Sequence, residues 1–134
     1  MSKEIYLIRH AQSEANAATD LDNPTFYYDA KITSIGREQA LVAHKKLKNI
    51  HFDLLLCSPL TRTLETFSII FPEPIKNIII LPFVREHLDH SCDVGRQPAI
   101  LKKEFSHFDF DELKDFWWNN NIPIDDKSIN YESI

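Results

Sequence analysis

The sequence predicts an α/β fold with a mostly parallel sheet and flanking helices, and three observations carry that expectation. Three apolar runs, at residues 5–8, 54–57 and 78–83, lack the alternation of a one-sided strand and read as strands buried on both faces. The stretches between them show helical periodicity. The resulting order, β-α-β-α-β, is that of parallel strands joined by crossover helices. A chain of 134 residues fits one domain, expected to span residues 1–134 around a single core.

The first run, in IYLIRHAQSEAN, ends by placing Arg9 and His10 side by side at its tip. A helix is expected within KITSIGREQALVAHKKLK. Thr33 or Ser34 can cap it, and Ala40, Ala43, His44 and Leu47 follow the i, i+3, i+4, i+7 spacing of one face. After the second run comes SPLTRTLETFSIIF, where Ser58 is the expected N-cap and Pro59 the first helical residue. Leu60, Leu64, Phe67 and Phe71 then line one face. Beyond the third run, the aromatic stretch FSHFDFDELKDFWW is expected to form one helix beneath the sheet. The polar tail NNNIPIDDKSINYESI contains no identifiable closing element.

Composition narrows the function classes. A net charge of −5 with scattered Lys and Arg argues against nucleic acid, and the one dense basic run, HKKLK at 44–48, fits the outer face of a helix. No segment approaches the roughly 20 apolar residues that span a bilayer, and the start shows no signal-peptide pattern. Cys57 and Cys92 then read as reduced thiols, and the expectation is a soluble cytoplasmic protein. HLDHSCD at 87–93 packs metal-ligand residue types closely, yet no second ligand pair follows, so neither a metal nor a cofactor is expected.

Ligands of parallel sheets gather beyond the carboxyl ends of the strands. Here those ends carry Arg9 and His10, then Cys57 and Ser58 leading to Arg62, then Arg85 and Glu86. Arginine forks match phosphate oxygens, a helix opening at Pro59 would aim its positive end at the same place, and a neutral histidine can attack phosphorus. A cysteine-based phosphatase fits poorly. Only four residues separate Cys57 from Arg62 where five are needed, and Pro59 removes an amide from the loop that would cradle phosphate. Cys57 reads more simply as a small buried residue.

The segment LIRHAQSEAN resembles the RHG signature of the histidine phosphatase superfamily, which includes the cofactor-dependent phosphoglycerate mutases. DAKITSIGREQA and CSPLTRTLET resemble two further segments of that family, in the same order. REHLDHSCDVGR followed by FSHFDF is similar to a branch with a CD-x-G loop. The resemblance covers residues 4 to about 110 and implies a phosphoglycerate mutase-like fold acting on a phosphorylated small molecule. It implies His10 as the nucleophile, with Arg9, Asn16 and Arg62 holding the phosphoryl oxygens. Glu86 would be the general acid and then the base, a task that partial burial would favour by raising its pKa. Asp89 and Asp93 lie close enough in sequence to compete for that task.

Two departures accompany the resemblance. Ala11 stands where the family usually has glycine, a cost of about 1 kcal/mol if that position needs a left-handed backbone. The family's second histidine, on a later V-S-H-like strand, has no counterpart, because His87, His90 and His107 follow no apolar strand. The expectation is therefore a fragment or truncated reading frame missing the last strand and helix, and an uncovered sheet edge through which two copies would pair. Three functions stay open: a phosphatase working through phospho-His10, a catalytically impaired phosphate-binding or interaction module, and a mutase. The identity of the substrate is not legible.

Overall fold

The computed structural model describes residues 2–18, 27–73 and 76–119. A one-turn helix α1 (Glu14–Ala17) precedes the long helix α2 (Ser34–Leu47). Strand β1 (Leu55–Cys57), helix α3 (Thr61–Ile70) and strand β2 (Ile78–Ile80) follow, then the short helix α4 (Pro98–Glu104). β1 and β2 pair in parallel, Leu55 opposite Ile78 and Cys57 opposite Ile80, with α3 as the connection. The predicted α/β class and parallel pairing hold.

Helix α2 begins as its sequence indicates: Thr33 is the N-cap and its hydroxyl accepts the Gly36 N–H. Its inward face carries Ala40, with Ala43 and Leu47 packed beside it, and His44 Nδ1 sits 2.7 Å from the Ile70 carbonyl oxygen on α3. Gly36 is there because the backbone of residue 12 passes against it; a Cβ would run into the Gln12 carbonyl oxygen.

Helix α3 starts later than expected. Its N-cap is Leu60, which offers no side-chain cap, so the Ser58–Pro59 assignment is corrected by two residues. The missing cap comes from a distant segment. Asp29 Oδ1 accepts the Thr61 N–H at 2.8 Å and Oδ2 accepts the Thr61 hydroxyl at 2.6 Å, while Arg96 donates to the same carboxylate. Asp29 holds this position with φ of 42°, a left-handed conformation that Asp tolerates better than most residues. No such strain exists at Ala11, so alanine there carries no left-handed penalty.

Two apolar clusters flank α3. One joins Cys57, Leu60 and Leu64 to Leu101, Phe105, Phe108, Phe110 and Trp117. The other places Ala11, Ile32, Ala40 and Ile70 between α2 and α3. The expected helix over the aromatic stretch is absent. The helix lies just before it, at α4, and the aromatic residues enter the core through successive turns. Phe108, Leu113 and Trp117 each donate their N–H three residues back. Asp109 accepts the Asp111 N–H at 2.9 Å, the local bonding by which aspartate competes with helix.

Residues 5–8 also differ from expectation. They form no strand, and Ile5 and Leu7 are 83% and 95% exposed. A strand exists only through a ladder with a neighbour, and no described residue pairs with this one. The third run is likewise shorter than predicted. It leaves the strand at Leu81 because Pro82, lacking an N–H, opens a 3₁₀ turn (Pro82–Val84). The tail beyond 119, where the sequence offered no closing element, lies outside the described residues. None of the described helices is long and apolar enough to cross a membrane.

Candidate phosphoryl site

The chain around His10 is fastened despite the missing strand. The Ala11 N–H donates to Thr66 Oγ1 at 3.0 Å, and the Thr66 hydroxyl bonds the Arg62 carbonyl at 2.7 Å. Gln12 N–H donates to Gln39 at 2.9 Å, Thr33 N–H to the Gln12 carbonyl at 2.9 Å, and Glu14 N–H to the Lys31 carbonyl at 2.8 Å. Residues 11–14 are thus tied to α3, α2 and the segment before α2. Thr66 and Gln39 stand in the two family-like segments CSPLTRTLET and DAKITSIGREQA, where sequence reasoning missed their part as ties.

Five expected residues line one cavity of about 250 Å³: Arg9, His10, Asn16, Arg62 and Glu86. Ser13, from the first segment, also lines it, and so do Asp89, His90, Cys92 and Asp93 from the loop beyond β2. His90 is a residue that sequence reasoning passed over, because it follows no apolar strand. Only the CD-x-G loop signalled that this segment is brought to the site. His87 and His107 are not among the lining residues.

Hydrogen bonding specifies the state of His10. Nδ1 lies 2.7 Å from the Ala11 carbonyl oxygen, which can only accept, so Nδ1 carries the proton. Nε2 receives the Arg62 Nε–H at 3.3 Å and therefore presents its lone pair. Burial lowers the pKa of this imidazole; the Ala11 bond opposes that, Arg62 and Arg9 add to it, and Glu86 opposes it weakly. The neutral, nucleophilic form is favoured.

Arg62 is 4% exposed and fully committed on one side. Nη1 donates to the Cys92 carbonyl at 2.7 Å and Nη2 to Asp93 Oδ1 at 3.0 Å. An internal pairing of Arg62 with Glu65 does not occur, since Glu65 instead receives Arg37 and the Ile32 N–H. Asn16 closes a capping box with Ser13: Oδ1 accepts the Ser13 N–H at 3.0 Å, which leaves its Nδ2 donors for a ligand.

Three expectations are corrected here. Glu86 is exposed at the rim, so the partial burial invoked to tune it is absent. Asp93 is buried, and both of its oxygens are occupied by donors, which removes it from contention as a proton donor. The N-terminus of α3 is met by the Asp29 carboxylate, so the Thr61 N–H expected to face an anion is already taken. The Cys57 thiol, pushed up to about 12 by burial, is no thiolate nucleophile. Among the described residues, no group of three or more His, Cys, Asp or Glu could hold a metal ion.

A protein of Schizosaccharomyces pombe described as a probable phosphatase is 30% identical over 118 residues, covering 82% of this chain and 53% of its own. A 2,3-bisphosphoglycerate-dependent phosphoglycerate mutase of Neisseria meningitidis is 31% identical over 135 residues, covering 97% of this chain and 57% of its own. A probable phosphoglycerate mutase of Photorhabdus laumondii is 32% identical over 83 residues, 62% of this chain and 37% of its own. The chain spans about half the length of the first two of these relatives. The model of the histidine phosphatase superfamily, branch 1, matches residues 5–121, and this chain belongs to that superfamily.

Proposed function

We propose that the protein is a phosphatase that hydrolyses a phosphomonoester of a small molecule through phospho-His10. The observation that carries this reading is His10, neutral and protonated on Nδ1, lining the same cavity as two arginines, with Arg62 donating to its Nε2. Arg9, the remaining Nη hydrogens of Arg62 and the Asn16 amide hold the phosphoryl oxygens. Nε2 attacks phosphorus, the bond from phosphorus to the ester oxygen breaks, and Glu86 gives that oxygen a proton. Glu86, now a carboxylate, takes a proton from water, which attacks phospho-His10 and returns orthophosphate and free His10.

A cavity of about 250 Å³ is below the roughly 300–1,000 Å³ usual for ligand pockets, which suits a small ester or the phosphoryl end of a larger one. Arg9, Glu86, Asp89 and His90 are exposed at its rim. Such an open wall admits water, which favours hydrolysis over the retained-phosphoryl transfer of a mutase.

A second reading, a phosphate-binding module without turnover, draws on the Arg62 Nε–H that covers the His10 lone pair. Turnover separates the two. Hydrolysis of p-nitrophenyl phosphate that vanishes in His10→Ala, with an acid-labile phosphoenzyme trapped from the parent protein, is the expected result. Orthophosphate binding with no hydrolysis would replace the phosphatase with the binding module, and hydrolysis indifferent to His10 would remove the phospho-His10 route.

A further inference from the structure

Asp93 makes more contacts at the site than any proposed step uses. Oδ1 receives Arg62 Nη2–H at 3.0 Å, and the Cys92 thiol at 3.7 Å. Oδ2 receives the backbone N–H of His90 at 3.1 Å and of Asp89 at 3.3 Å. The adjoining Cys92 carbonyl takes Arg62 Nη1–H at 2.7 Å. One buried carboxylate therefore joins α3 to the loop that forms the opposite cavity wall. Arg62 has five N–H donors, and three are engaged by His10, Cys92 and Asp93. One hydrogen on each Nη remains, the fork that a phosphoryl group needs.

We propose that Asp93 is a positioning residue: it locks the Arg62 guanidinium against His10 and, through the same carboxylate, fixes residues 89–92 as the wall that faces the ester group. Because it works through Arg62 and the loop backbone, Asp93 takes no part in bond making. The consequence for turnover rests on the phosphatase reading, whereas the latch itself does not.

The sign of one titration separates positioning from a mere charge effect. Arg62 and Arg9 hold the His10 midpoint down and Glu86 pulls it up, with burial the largest influence. Removing the Asp93 charge while Arg62 stays in place would strengthen the cationic field and lower the midpoint further. Releasing the latch lets Arg62 leave and water enter, and the midpoint rises toward its ordinary value.

The experiment compares the parent protein with Asp93→Asn and Asp93→Glu, following His10 ring resonances by NMR from pH 4 to 8. A rise in both variants is expected, since glutamate keeps the charge but displaces the carboxylate by one methylene. A fall in Asp93→Asn, or a parent-like Asp93→Glu, would overturn the proposal. The parent protein supplies a test that needs no variant to fold. Separate Arg62 Nη–H signals are expected because the Cys92 and Asp93 bonds stop rotation, and a single averaged signal would refute the latch. Turnover of p-nitrophenyl phosphate should fall about 100-fold in Asp93→Asn, the scale of a small misplacement of reacting groups. Failure of the parent protein to bind orthophosphate would sink the phosphatase reading while the NMR results still decide the role of Asp93.

Discussion

Residues 5–8 and residues 10–16 are neighbours in sequence and opposites in structure. The first are apolar, exposed and without a ladder partner among the described residues. The second are polar, and Thr66, Gln39, Thr33 and Lys31 hold their backbone in place. Placement of His10 thus comes from the segment after it, not from a strand before it. Burial needs a partner surface, whereas a hydrogen bond needs only one correctly placed atom. The polar segment is therefore fixed by several bonds, where the apolar one leaves Ile5 and Leu7 in solvent and rests only Tyr6 edge-on against Phe52.

The largest expected effect comes from attacking the fixed side at its centre. Arg62→Ala leaves Asp93 buried and unpaired, which should cost about 3–5 kcal/mol of stability in urea unfolding. Orthophosphate affinity, measured by calorimetry, should fall beyond detection. Next, Thr66→Val removes the acceptor of the Ala11 N–H with little change of shape. A loss of about 1–3 kcal/mol is expected, with reduced turnover. Leu7→Ser, on the other side of the comparison, should stay within about 0.5 kcal/mol because its side chain is already in water. Equal losses from Thr66→Val and Leu7→Ser would show that the apolar segment anchors the site after all.

A smaller effect tests the charge state. The His10 pKa is lower in the folded chain than its ordinary 6.5, so between those two values the unfolded state binds more protons. Its contribution to stability is complete above 6.5 and is lost as pH falls through the lowered folded value. His10→Gln should flatten this part of a stability-versus-pH curve, and an unchanged slope would assign the titration elsewhere. The weakest expected signal is self-association. We propose that exposed Ile5, Leu7, Leu54 and Leu56 allow two copies to pair. Sedimentation should reveal concentration-dependent dimers that Leu7→Asp abolishes, and a monomer at every concentration would remove the proposal.

Much of the site was legible because its residues occur in short segments whose chemistry is local. Arg9, His10, Asn16, Arg62 and Glu86 were each identifiable without the cavity, and all five line it. Thr33 announced its cap, since capping joins residues three apart. The Asp29 cap on Thr61 was not legible, because it joins residues 32 apart. Nor was the role of Asp93, which depends on a guanidinium 31 residues earlier. The aromatic stretch misled for a related reason: its residues reach one core from separate turns, and their spacing imitates a helix.

The sequence by itself determined the α/β class, the capped helix α2, the parallel pairing through α3 and which side chains to look for around one cavity. Those features follow from periodicity, capping and residue type, which act over a few neighbours. Only the tertiary structure decided that residues 5–8 stay exposed, that Asp29 caps α3 and that Asp93 holds Arg62 beside His10. Each of these depends on whether a partner group stands within bonding distance. Distance in space is set by the packing of the whole chain.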